Sequence, residues 1–385
     1  MRRVLFLIDR IEGGGAERQM LQVVELARQR YDVSVFCLHK PEPTLLDAFT
    51  KAGGNVVRCK PAPNTSARLF YYIYFVFFLF FYKRKNNIHK SISFLEVSNF
   101  INILSGRANN GEILVNVRNF LSHQYSSSRI KFRIAKQVLR WAYNKASKVL
   151  CNSAAIKEDL VSTFKVKSAL VEVVYNLYDF EGLDFKSMAP LDIKVLPTEG
   201  KTFLFCGRLA PQKGVITLIS TFIEHLERGN GTEKDRLLIL GAGNLEAELK
   251  SLSAGRSNIC FLGHTHNPYP YFRIADVFIL NSDFEGFPNA LAEAVLLGCY
   301  PLSSDCKSGP REILSNFKIT NYEKKLPSVM SLELGSLFKL EESNGGINTN
   351  LLRLMTTNNK LDAKSISTFK FNLKRLGEER WKTVL

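Results

Sequence analysis

Short apolar runs alternate along the chain with longer stretches of helical period. Residues 4–8 read as a strand, and 17–29 follow as an amphipathic helix with Met20, Leu21, Val24 and Ala27 on one side. A second strand is expected at 33–38, a helix at 44–52 stopped by Gly53-Gly54, and a short strand at 55–57. Further strands are expected at 91–95, 113–117 and 149–152, with helices between them. Between about 180 and 200 the period lapses around Pro190 and Pro197, which marks an interdomain linker. The same grammar then restarts, with strands at 202–206, 236–240, 259–262, 277–280 and 300–304 and a helix at 215–227. Strands alternating with helices predict parallel sheets covered on both faces. The expectation is an α/β chain of two doubly wound, Rossmann-like domains, 1–185 and 186–364, whose strand ends face a central ligand cleft. A terminal amphipathic helix at about 365–385, carrying Phe369, Phe371, Leu373, Leu376 and Trp381, is placed so that it can pack back on the first domain.

One run does not fit a simple amphipathic pattern. Residues 69–82 read LFYYIYFVFFLFFY, with Arg68 before them and Lys83, Arg84 and Lys85 after. As a helix this run covers roughly 21 Å, short of the ~30 Å hydrocarbon core of a bilayer. Two readings remain: a helix buried on one face of a sheet, or an in-plane membrane anchor with its basic cluster on lipid headgroups. Both can hold for different faces of one helix.

Composition narrows the picture. With 385 residues, 45% of them hydrophobic, the chain can build two cores and is not disordered. A net charge of +16 calls for anionic partners, either phosphate-bearing ligands or an anionic membrane surface. Nucleic acid is not expected, because no RNA-binding signature, zinc-finger spacing or basic-helix pattern is present. Seven scattered cysteines without a C-x-x-C pair read as reduced, buried thiols in a cytoplasmic protein. The first residues read as a strand, not a cleaved signal.

Three loops can carry chemistry. Gly13-Gly14-Gly15 opens the first helix, where glycines allow close backbone approach and a helix start favours anions. Gly207 to Gly214 follows a strand and brings Arg208 and Lys213 to the start of a helix. Two cations there can neutralise a departing diphosphate without a metal. The main signal is Glu285-Gly286-Phe287-Pro288-Asn289-Ala290-Leu291-Ala292-Glu293. Glu285 falls on a loop after a strand and can accept hydrogen bonds from sugar hydroxyls. Glu293 falls in the first turns of a helix that Asn289 is expected to cap, and can take two vicinal ribose hydroxyls. Phe287 and Pro288 lie between them, and the backbone N–H groups of that helix entry would face phosphates.

This ordered set resembles the retaining glycosyltransferases of GT-B fold with an E-x7-E motif, the family 4-like group. The matching elements run from Gly14 to Arg18 through Ser153, Tyr175-Asn176, Gly207 to Gly214, Gly241-Ala242-Gly243 and Gly263 to Glu285–Ala294 and Ser303–Leu314. The resemblance implies that Arg208 and Lys213 hold the donor diphosphate, Glu285 contacts the transferred sugar and Glu293 the ribose. It also implies that Gly207, Gly241, Gly286, Phe287, Pro288, Asn289 and Ala290 line the donor, and that Gly14 and Gly15 close on phosphates or acceptor. Many relatives carry a histidine where this chain reads Asn116-Val117-Arg118-Asn119; Arg118 or the nearby His123 can take the sugar or acceptor instead. No Asp-x-Asp occurs, in keeping with transfer that needs neither metal nor cofactor. The run 303–314 resembles a bacterial subgroup that adds hexoses or N-acetylhexosamines to polyprenyl-diphosphate-linked glycans for O-antigen or capsule. A UDP-sugar donor, a lipid-linked glycan acceptor and a peripheral position on the inner face of the cytoplasmic membrane follow as expectations. The competing readings are a GT-B epimerase or phosphorylase, and a non-catalytic basic membrane scaffold.

Overall fold

The computed structural model describes residues 2–9, 14–39, 43–52, 55–57, 68–108, 111–126, 128–191, 199–322, 325–341 and 346–385. They form two compact units, Met1–Leu177 with Leu373–Leu385, and Tyr178–Asn372. Gly13 and the Gly53-Gly54 stop lie outside the described residues.

The first unit is built on a sheet of order β3-β2-β1-β4-β5-β6-β7. Its strands are β1 Arg3–Ile8, β2 Asp32–Cys37, β3 Asn55–Val57, β4 Ile88–Phe94, β5 Glu112–Val117, β6 Lys148–Cys151 and β7 Val171–Val173. All neighbours run parallel. β1 is wholly buried from Val4 to Ile8. Its apolar run is unbroken because both faces are covered. Val4, Phe6 and Ile8 pack on one side with Met20, Val23 and Val24 of the helix Gly15–Arg28. Leu5 and Leu7 pack on the other with Phe75 and Leu79 of the helix Arg68–Lys85. The last helix, Arg380–Val384, carries Trp381 into this unit's core, where its ring stacks on Phe94 with centroids 6.3 Å apart.

The second unit repeats the plan with β10-β9-β8-β11-β12-β14-β13. Here β8 is Thr202–Cys206, β9 Arg236–Leu240, β10 Ile259–Gly263, β11 Val277–Leu280, β12 Tyr300–Ser304, β13 Val329–Leu332 and β14 Gly335–Phe338. Only β13 runs antiparallel, as a hairpin arm on β14. The architecture is therefore two parallel, doubly wound, Rossmann-like α/β domains.

Several local expectations shift. The segment 180–187, assigned from its weak period to the linker and the first domain, is a helix, Phe180–Ser187, capped by the Asp179 side chain. It belongs to the second unit because it packs on the helix Tyr269–Ile274. Asn267 Nδ2 donates to Lys186 O at 2.8 Å, and Lys370 reaches Asp184 at 3.3 Å. The chain crosses between units at 177/178 and again at 372/373, not at 185 and 364. The strands β7, β13 and β14, of three or four residues each, were not among those expected.

The aromatic run forms an 18-residue helix, Arg68–Lys85. Among the described residues no helix is long and apolar enough to cross a membrane. Phe75 and Leu79 face the sheet, whereas Phe70, Tyr74, Phe77 and Phe81 are exposed. Lys83 does not join a headgroup-facing basic cluster. It is buried, and its Nζ donates to Asn102 O (3.0 Å), Asn102 Oδ1 (2.7 Å), Ser105 Oγ (2.8 Å) and Gly106 O (3.1 Å).

Candidate active site

In an open parallel sheet a crevice opens where the strand order reverses, outside the carboxyl ends of the strands. In the second unit that point lies between β8 and β11. The loop after β8 is 207–214 and the loop after β11 is 281–288, so strand order alone brings the two sequence signals together.

The first loop closes in a short 3-10 turn, Pro211–Lys213, and Gly214 at φ +59° opens the helix Val215–Glu227. A Cβ at Gly214 would sit 2.3 Å from Asn281 O, so only glycine permits this approach of the two loops. Asn281 Nδ2 donates to Gly214 O at 2.8 Å, Gln212 Nε2 to Phe284 O at 2.7 Å, and Asp283 N to Gln212 O at 2.9 Å. Lys213 Nζ then meets Glu285 Oε1 at 2.5 Å, and Ser282 Oγ donates to the same oxygen at 2.6 Å. Glu285 is 9% exposed, so this ion pair and hydroxyl hold one rotamer of a nearly buried carboxylate. Arg208 lies on the same loop but is exposed and forms no ion pair among the described residues. The loop therefore does not present its two cations as an equivalent pair.

The loop after β9 supports the first. Gly207 N donates to Leu240 O and Leu209 N to Ala242 O. Gly241 takes φ +137°, and a Cβ there would fall 1.8 Å from Gly207 O. The turn after β12 supports the second loop. Ser304 Oγ donates to Ser282 O at 2.6 Å and Ser308 Oγ to Gly286 O at 2.5 Å. Ser308 itself holds φ +78°, a left-handed conformation that costs a non-glycine residue roughly 1 kcal/mol or more. Arg311 grips both Asp305 oxygens, at 2.7 and 2.8 Å, and fixes the same turn. Cys306 is buried nearby, and burial first, then the Glu285 charge, pushes its thiol pKa up.

The helix after Pro288 is Asn289–Leu296. Asn289 does not cap it. Pro288 occupies the cap position without a side-chain bond, and Asn289 Oδ1 instead accepts from Tyr178 OH at 3.0 Å. Ala290 follows in the first turn. Glu293, 4% exposed, accepts from Tyr269 OH at 3.4 Å. Phe287 is buried and stacks on Phe317, which stacks on Phe369.

In the first unit, Gly14 precedes the helix Gly15–Arg28, and Glu17 folds its carboxylate back on Gly14. An internal acid thus already occupies that helix start. Arg118 follows β5, is 8% exposed, and donates from Nη2 to Asn176 Oδ1 at 2.7 Å. His123 is exposed on the short helix Leu121–Gln124. Ser153 caps the helix Ala154–Glu158 through Ile156 N.

Some residues were not singled out from the sequence. Ser282 and Tyr269 orient the two glutamates; Ser282 lies three positions before Glu285, but Tyr269 lies 24 positions from Glu293 and carried no signal. In the first unit, Asp9 at the end of β1 accepts from Ser98 N at 2.7 Å, and Glu96 starts the neighbouring helix Glu96–Leu104. Burial first, then the Asp9 charge, raises the Glu96 pKa.

Known proteins resemble this chain along most of its length. The sequence model described as Glycosyltransferase Family 4 matches residues 13–181, and that described as Glycosyl transferases group 1 matches 200–322. The chain is 26% identical over 322 residues to the N-acetylgalactosamine-N,N'-diacetylbacillosaminyl-diphospho-undecaprenol 4-alpha-N-acetylgalactosaminyltransferase of Campylobacter jejuni, covering 82% of this chain and 84% of that one. It is 25% identical over 342 residues to the capsular polysaccharide biosynthesis glycosyltransferase CapH of Staphylococcus aureus, covering 85% and 87%. HepE of Anabaena, solved with UDP and glucose, shares the fold with a TM-score of 0.68 at 16% identity, over 99% of this chain and 95% of that one. Two glycosyltransferase sequence models matched in chain order, glycosyltransferase relatives along most of both chains, and the shared two-domain fold make this chain a glycosyltransferase of the GT-B fold.

Proposed function

We propose that the protein transfers a hexose or N-acetylhexosamine, with retention at the anomeric carbon, from a UDP-sugar to a lipid-linked glycan in bacterial surface polysaccharide synthesis. The observation that carries this reading is the set Lys213, Glu285 and Ser282 at the β8/β11 switch point. Relatives named for transfer onto diphospho-undecaprenol glycans or for capsule synthesis support the acceptor class, and the neighbour solved with UDP and glucose supports the donor class.

In this reading Lys213 and Arg208 neutralise the departing diphosphate, which removes any need for a metal. Lys213 is pre-set by its bond to Glu285, and Arg208, exposed on the same loop, meets the diphosphate beside it. Glu285 Oε1 is occupied by Lys213 and Ser282, which leaves Oε2 for a hydroxyl of the transferred sugar. Glu293 takes the ribose hydroxyls, and Gly207, Gly241 and 286–290 shape the wall between. No side chain in this set is placed as a covalent nucleophile. The acceptor hydroxyl therefore attacks the anomeric carbon on the face from which the diphosphate leaves. The C–O bond to the diphosphate breaks, the bond to the acceptor forms, and the acceptor proton passes to the departing phosphate oxygen. Gly14 and Gly15 bind donor phosphates or the acceptor, and Arg118 and His123 the sugar or the acceptor. No observation favours the epimerase, phosphorylase or scaffold readings.

The test is product analysis by mass spectrometry with a panel of UDP- and GDP-sugars and lipid-diphosphate acceptors, on the wild type and on Glu285→Ala, Arg208→Ala and Lys213→Ala. Transfer with loss in the variants supports the assignment. Full activity in all three sinks it.

A further inference from the structure

The net charge of +16 is not spread over the chain. Residues 48–157 hold 18 lysines and arginines against two acids, Glu96 and Glu112, whereas the rest of the chain holds 34 of each. The whole excess therefore sits in one segment of the first unit. That segment supplies the crossovers into β4, β5 and β6: the helices Arg68–Lys85, Glu96–Leu104 and Arg129–Tyr143. These three crossovers step across the sheet in one direction, so their right-handedness puts all three helices on one face. The middle helix packs against both others.

The helix Arg129–Tyr143, RIKFRIAKQVLRWAY, has no acid and is amphipathic in an unusual sense. Leu139, Ala142 and Tyr143 are buried toward the domain, as expected. On the opposite side Ile130 (71% exposed), Ile134 (60%), Val138 and Trp141 form a second apolar stripe in water. Their spacing of four, four and three residues keeps them on one line. Arg129, Arg133 and Arg140 flank that stripe on one side and Lys131 on the other. The neighbouring helix Arg68–Lys85 exposes Phe70, Tyr74, Phe77 and Phe81 away from the same sheet face, and Leu104 between the two helices is half exposed. A solvated helix face normally carries charges of both signs and few apolar groups. An apolar stripe bordered by cations alone matches the boundary between anionic headgroups and acyl chains.

We propose that this face of the first unit, built from the helices Arg68–Lys85 and Arg129–Tyr143, is a docking surface for an anionic lipid bilayer. The apolar stripes enter the interface, and the flanking cations meet lipid phosphates. This goes beyond glycosyl transfer, since the binding requires no nucleotide sugar and no acceptor.

The chain has two tryptophans, and Trp381 is buried while Trp141 is half exposed, so emission reports the docking face directly. The full chain is mixed, without any sugar nucleotide, with phosphatidylcholine vesicles and with vesicles that also contain phosphatidylglycerol. The expected result is sedimentation with the anionic vesicles only, weakened by added salt, and a blue shift of emission that Trp141→Phe abolishes. Ile134→Glu should lower vesicle affinity at least tenfold. Arg133→Gln, at an exposed position that leaves the apolar stripe intact, should lower it about fivefold, the worth of one interfacial cation. Equal binding to neutral vesicles, no change in either variant, or absence of vesicle binding with self-association in its place would overturn the proposal. Because no sugar is present, such a failure leaves the transferase reading standing, and loss of transfer on a soluble acceptor would not touch this one.

Discussion

Lys83 lies under the C-terminal end of the helix Glu96–Leu104, its Nζ ringed by oxygens of Asn102, Ser105 and Gly106. Those acceptors and the helix end favour the ammonium form, while burial and then the Arg84 charge drive the pKa down to about 7. An unfolded lysine keeps its proton to about 10.4. Between these two values the unfolded chain binds more protons than the folded one, so stability rises with pH over that window. Lys83→Met should flatten that rise in urea melts. In the second unit, Glu285→Gln is expected to lower kcat by about 100-fold with little change in donor binding, as for loss of a contact made chiefly in the transition state. In the proposed reading Glu293→Gln should instead raise the donor KM, because a ribose contact would serve ground and transition states alike. The two glutamates were legible in the sequence through their spacing and neighbours. Burial of Lys83 was not, since a lysine ending an aromatic helix looks the same whether it meets solvent or the next helix.

Loops in the second unit approach one another more closely than any side chain allows. At Gly241 both the φ of +137° and the 1.8 Å approach of a Cβ to Gly207 O forbid substitution. Gly241→Ala is expected to destabilise this unit by about 3 kcal/mol or more and to weaken UDP binding in calorimetry, because the 207–214 loop must shift. The glycines at 207, 214 and 241 were readable as turns. Which carbonyl each one meets was not, because the partners come from other strands' loops.

At the scale of the molecule, the chain leaves the first unit at Leu177 and returns at Leu373. Trp381, buried on Phe94, anchors the returning segment, with Tyr31 OH donating to Leu385 O at 2.7 Å. Trp381→Ala should cost the first unit about 3–5 kcal/mol. In a thermal scan it should lower the transition assigned to that unit, while the second unit's transition holds. An unchanged first transition would remove the terminal helix from the folding unit.

Taken by itself, the sequence determined the alternation of strands and helices, the presence of two sheets, and the residue types of the candidate site. These are local properties: a period of two or 3.6, a glycine turn, two carboxylates eight positions apart. Tertiary structure decided strand order, and with it the meeting of Lys213 and Glu285 across 72 positions. It also decided which face of the aromatic helix is buried, where the short strands β7, β13 and β14 pair, and that Phe180–Ser187 belongs to the second unit. The physical reason is common to all of these. Each depends on which distant surface covers a given face, and no window of neighbouring residues contains that surface.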